Sequence, residues 1–349
     1  MPNCVIPADE LHRLMDRLVK SRAVMGSRER PDQPGYYAFD WLQSPEQFVL
    51  DYVTTTIPPK KAFFPPTETL FTFSLSDPPE FNTVREQTPF ILAGVHPCDL
   101  AAIDCLDQAY SHPPADARWK VNRERAIIIG VDCMPDEYCF CTAMDSCTAR
   151  KPSDLFLTKI DRGYMVEIHS SAGERLLAEV HRTEPQKQDF ADTRRWHEEK
   201  MNRALAKFNV GIARFADILE AGGLADIWHQ VAERCYSCGS CNTTCPTCFC
   251  FDIKDDFNLN LTGGIRRRTW DSCQLLEFAL VAGGHNFRRD RWQRVRHRWH
   301  RKFLYLYRQF RRPYCTGCGR CSRACTADIN IVDISNQIIA YSQQGASDA

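Results

Sequence analysis

The sequence predicts a chain in two parts: an α/β domain over residues 1–225 and a mainly α-helical domain over 226–349. Three observations lead there. Two apolar runs, PFILAGVHPC (89–98) and AIIIGVDC (126–133), share one design: a short hydrophobic stretch, Gly-Val, then a cysteine two or three residues on. Helical patterns at 99–106 and 118–125 separate them, as in a βαβ unit with strands buried on both faces. Near the C-terminus stand two runs of four cysteines, Cys235, Cys238, Cys241, Cys245 and Cys315, Cys318, Cys321, Cys325. Both are spaced Cys-x2-Cys-x2-Cys-x3-Cys, the ligand spacing of a [4Fe-4S] ferredoxin. The helical part is therefore expected to be a dicluster ferredoxin-like domain.

The remaining elements follow in order. Residues 1–50 read as helix, then loop. The stretch 52–73, with its paired prolines, reads as extended or edge segments. Residues 155–169 form two short strands around an Asp161–Gly163 turn. From about 173 to 234 the pattern is helical and charged, broken at Pro185. Between the cysteine runs, 272–282 and 291–310 read as helices.

Composition bounds the function. Of 349 residues, 44% are apolar and 25% charged, and no segment approaches the ~20 apolar residues of a membrane span. The N-terminus lacks an apolar signal core, so a cytoplasmic protein is expected. Eighteen cysteines in metal-ligand spacings imply reduced thiolates rather than disulfides. Net charge is zero, yet residues 231–349 carry 18 Lys and Arg against 10 Asp and Glu. Part of that excess can offset cluster charge.

Three closely spaced cysteines wrap one tight loop around a cubane, and the fourth leads the chain away. If ligands are exchanged as in two-cluster ferredoxins, Cys235, Cys238, Cys241 and Cys325 hold one cluster, and Cys315, Cys318, Cys321 and Cys245 the other. Small residues between ligands let the backbone approach, and the N–H groups around Gly239 and Gly317 are expected to tune the clusters. Zinc is the alternative, but it usually takes two separated Cys-x2-Cys pairs. Cys98 and Cys133 at the predicted strand ends, with Cys139 and Cys141, supply thiols enough for a third [4Fe-4S] cluster; the alternative is that they are simply small buried residues. Cys248, Cys250 and Cys273 are expected to pack, and Cys4, Cys105 and Cys147 have no functional reading. The stretch 288–312 holds eleven Lys or Arg interleaved with aromatics. Docking and cluster compensation suit it better than nucleic acid. No Gly-x-Gly-x-x-Gly follows a strand, and no catalytic set is recognisable.

These residues carry a resemblance. PPKKAFFPPTETLF (58–71), GVHPCDLAAIDCLD (94–107), the CFC of 139–141, RCYSCGSCNTTCPTCFCFD (234–252), TWDSC (269–273), AGGHNFR (282–288) and CTGCGRC (315–321) resemble the iron–sulfur beta subunit of cytosolic sulfhydrogenases, and the A subunit of anaerobic sulfite reductase. Cys325 is followed by Thr326, where many ferredoxin-like runs have Pro. The resemblance implies a non-catalytic cytoplasmic subunit relaying electrons between a flavin, NAD(P)H-binding subunit and a catalytic subunit of hydrogenase or sulfite reductase type. Similar subunits stand beside heterodisulfide-reductase-like partners, so electron input to such a complex is an alternative. An autonomous Cys/Fe–S reductase is another, and a zinc-stabilised nucleic-acid binder a third. No membrane span and no nucleic acid are expected.

Overall fold

The computed structural model describes residues 3–86 and 88–345. Its strands are β1 (Asn3–Ile6), β2 (Ala23–Arg30), β3 (Gln33–Trp41), β4 (Thr67–Ser74), β5 (Glu80–Thr83), β6 (Phe90–Val95), β7 (Ala126–Val131), β8 (Leu155–Ile160), β9 (Gly163–Ile168), β10 (Phe251–Phe257) and β11 (Gly263–Trp270). Seven form one sheet in the order β1-β9-β8-β7-β6-β2-β3. Its centre, β2-β6-β7-β8, is parallel, and an antiparallel partner closes each side.

The apolar runs behave as expected. Every residue of β6 is buried. Helices 97–111 and 117–124 follow, the second capped by Asp116, whose carboxylate accepts from the N–H groups of Arg118 and Trp119 at 2.9 Å. Two apolar layers cover the sheet. One includes Leu11, Leu14 and Leu18 of helix 8–21. The other is aromatic, with Phe39, Phe63, Phe90, Trp119 and Phe156.

Three segments differ from the sequence reading. Residues 23–41 are not loop but the hairpin β2–β3. Its polar outer strand hid the pattern. The segment 272–282 is not a helix: only Glu277–Ala279 makes a helical turn. Ser272, Cys273 and Gln274 are instead buried in an irregular wall, where Gln274 Nε2 donates to the Arg294 carbonyl (2.8 Å) and Arg294 Nε donates back to the Gln274 carbonyl (3.0 Å). Residues 251–270, within the part expected to be mainly helical, form the hairpin β10–β11. It joins β4 and β5 in a second sheet of order β10-β11-β4-β5, so that sheet draws strands from both sides of residue 225.

The C-terminal part is otherwise helical. Helices 212–221, 225–234 and 331–345 surround the long basic segment 291–310. Phe215, Trp228, Trp299, Phe303 and Ile338 make its core. The basic segment starts at Asp290, which forms a capping box with Gln293. Residues 301–305 are wound as a π-helical turn. Among the described residues no helix is long and apolar enough to cross a membrane.

Candidate iron–sulfur centres

All eighteen cysteines are free thiols. The two ferredoxin-type runs adopt the same backbone. In each, left-handed residues (Ser237 and Gly239; Gly317 and Gly319) turn the loop into a short helix, 240–243 or 320–323. The turn aims N–H groups at sulfur. Ser237 N–H points at Cys235 Sγ at 3.4 Å, and beyond the second run Ile329 N–H points at Cys325 Sγ at 3.4 Å. Gly317 has a second role. A Cβ there would lie 2.5 Å from the Phe140 carbonyl, whose own N–H donates to the Gly317 carbonyl at 2.8 Å. The loop carrying Cys139 and Cys141 thus docks directly on the second run.

The structure brings the ends of the runs together crosswise. Cys235, Cys238 and Cys241 line a cavity of about 50 Å³ together with Cys325 and Cys321 of the other run. Cys245 of the first run lies among Cys315 and Cys318 of the second, near enough to act electrostatically on both. A single zinc ion gathers its ligands about one point. Among the described residues no three Cys, His, Asp or Glu side chains are gathered in that way. A cubane spreads its thiolates over four corners.

The surroundings suit an anionic group. Lys302, 4% exposed, reaches Cys245 Sγ at 3.1 Å, Thr247 Oγ1 at 3.2 Å and the Tyr314 carbonyl at 3.0 Å. Burial opposes its charge, but the negative charge that Cys245, Cys248 and Cys315 carry when deprotonated holds its pKa well above the ordinary value. Arg298, 5% exposed, lines the first cavity, and its Nε and Nη2 have no hydrogen-bond partner among the described residues. A buried guanidinium without a carboxylate demands an anion. Burial pushes the thiols of Cys241 and Cys315 up to about 12, so metal must displace their protons for thiolate to form there. Four of the five thiols of the cavity, Cys235, Cys238, Cys241 and Cys325, with this unpaired cation beside them, fit a [4Fe-4S] cluster. The basic stretch therefore spends cations inward. Others pair at the surface, as Arg308 does with Asp217 and Glu220 at 2.6 Å.

The N-terminal cysteines meet at the carboxyl ends of β6 and β7, where such sheets bind ligands. Cys98 opens helix 97–111, Cys133 follows β7, and Cys141 begins a helical turn. Their thiols lie within electrostatic reach of one another, and Cys147, which has no sequence signal, joins them in contact with Cys141. Cys139 is buried as well and faces Asp136 and Cys133. Beneath them Lys200, 1% exposed, pairs with Asp132 and donates to the Cys147 carbonyl at 2.5 Å. The two regions are locked together. Arg320, one residue from Cys321, makes a two-pronged buried ion pair with Asp99 beside Cys98 (2.6 and 2.7 Å) and donates to the Thr55 carbonyl at 2.8 Å.

Fold and site together define an iron–sulfur protein, and residues 234–329 match the 4Fe-4S dicluster domain family. Over 311 residues the chain is 34% identical to the Sulfhydrogenase 2 subunit beta of Pyrococcus furiosus, an alignment spanning 86% of this chain and 89% of that protein. The chain belongs to this family of sulfhydrogenase beta subunits. The resemblance drawn from its motifs is borne out on that side.

Proposed function

We propose that the chain is the electron-transfer subunit of a cytoplasmic oxidoreductase complex, with no reaction of its own. Cys235, Cys238, Cys241 and Cys325 hold one [4Fe-4S] cluster. Cys315, Cys318, Cys321 and Cys245 hold the second. A third sits on Cys98, Cys133 and Cys141, with Cys147 as its fourth ligand in place of Cys139. The observation that carries the reading is the crossed arrangement of the two runs around buried, carboxylate-free cations.

When bound, the clusters supply one-electron chemistry. The chain's own residues fix their spacing, exclude water and compensate charge through Arg298 and Lys302. Cys238 is the exposed corner of the first set, the natural exit towards a partner. The partners are a flavin subunit that binds NAD(P)H, where two-electron chemistry belongs, and a catalytic subunit of hydrogenase type, the class to which the Pyrococcus relative's name refers.

The test is Cys241→Ala in the assembled complex, measured anaerobically. The variant is expected to lose about four iron atoms per chain and to stop transfer to the catalytic subunit, while NAD(P)H still reduces the partner's flavin. Undiminished turnover would rule the reading out.

A further inference from the structure

Of the six cysteines outside these sets, three converge. Cys248 and Cys250 come from the strand-like exit of the first run, and Cys273 follows β11. All three line one cavity, whose other polar walls are Asn242, Thr247, Arg298, Arg301, Lys302 and Tyr314. Three thiols and three cations face it, and among the described residues no carboxylate does. Arg298 is the wall shared with the first cluster cavity, and it brings the two unpartnered guanidinium nitrogens already noted. Behind Cys248, Lys60 (3% exposed) donates to the Cys248 carbonyl at 2.6 Å and stands 4.3 Å from the centre of the Trp270 ring.

Packing alone does not account for this. A cysteine that serves as a small apolar residue sits among apolar neighbours. Here the thiols sit among cations whose burial is costly without an anion. The sulfur of Cys273 also accepts from Asn242 Nδ2 at 2.9 Å and from Gln274 Nε2 at 3.6 Å. Donors aimed at sulfur favour the thiolate and are how proteins tune sulfur ligands.

We infer that Cys248, Cys250 and Cys273 ligate a further iron–sulfur cluster, three-cornered in protein thiolate, with Arg298 as its cationic neighbour. It rests on the iron–sulfur reading above but uses none of the ligands assigned there. Arg298 would place it beside the first cluster, and Cys248, whose thiol contacts Cys245, beside the second. It would be a branch point between them.

The experiment compares iron, acid-labile sulfide and EPR spectra of the anaerobically purified full-length chain with those of a Cys248→Ser/Cys250→Ser/Cys273→Ser variant. The expected result is a loss of about three to four iron atoms per chain, with the reduced signals of the two ferredoxin-type clusters retained. Unchanged iron in a folded variant overturns the inference and leaves those two clusters standing. A wild-type chain without iron overturns the functional reading itself. Should the triple variant not fold, Cys250→Ser alone is read in the same way. In the wild type, a three-thiolate cluster should also give a three-iron EPR signal on mild oxidation. Wild-type protein that shows no such signal, with Cys250→Ser iron unchanged, overturns the site.

Discussion

The ferredoxin-type runs and the N-terminal cysteines bring their thiols together by opposite strategies. In each run three thiols stand three residues apart, and left-handed turns at Ser237, Gly239, Gly317 and Gly319 fold them round a common centre. The ligand set is mostly local. At the end of the parallel sheet, Cys98, Cys133, Cys141 and Cys147 are delivered by a helix start, a strand end and a loop, and only the tertiary fold unites them. Local sets tolerate change in the scaffold, whereas gathered sets are only as good as the packing that delivers them.

That contrast can be broken or sharpened by substitution. The largest effect is expected from Cys133→Ala. It should remove about four iron atoms per chain and leave the EPR signals of the ferredoxin-type clusters intact. Cys147→Ala should do the same and Cys139→Ala should not; the reverse order would restore the CFC pair as ligands. Arg320→Met comes next. Removing the guanidinium leaves Asp99 buried and unpaired, 0% exposed, at a cost of about 3–5 kcal/mol. Denaturant unfolding should report that loss, and cluster release from the gathered site should precede release from the runs. Smaller is Gly317→Ala. Its left-handed φ of +64° and the Phe140 carbonyl in the way together imply about 1–3 kcal/mol. The change should loosen the 138–141 loop more than the run itself, seen as faster hydrogen exchange at Phe140, whose N–H is bonded to the Gly317 carbonyl.

The same contrast explains what could be read in advance. The dicluster domain was legible because a cubane imposes its size on the spacing of neighbouring cysteines. Strands β6 and β7 were legible because burial on both faces leaves an unbroken apolar string. The contact of Cys147 with Cys141 was not, since nothing in the five residues between them marks it. Cys273 was equally hidden: its partners lie more than twenty residues upstream and across a hairpin. The hairpin β10–β11 was misread because its charged strand, FDIKDDF, is exposed, and because its other partner, β4, lies some two hundred residues away. The inward turn of Lys302 depends on the helix and its π-helical turn, which composition does not announce.

That pairing of β11 with β4 has a consequence for biosynthesis. Thr67–Ser74 leaves the ribosome long before Gly263–Trp270 exists, so its edge must wait, unpaired, for most of translation. Until then Lys60 lacks the Cys248 carbonyl and Glu68 lacks Arg268, the partners that reach them across the seam. Metal loading of the interior is thereby deferred to a nearly finished polypeptide, and a prematurely terminated chain would be an aggregation hazard rather than a half-working wire.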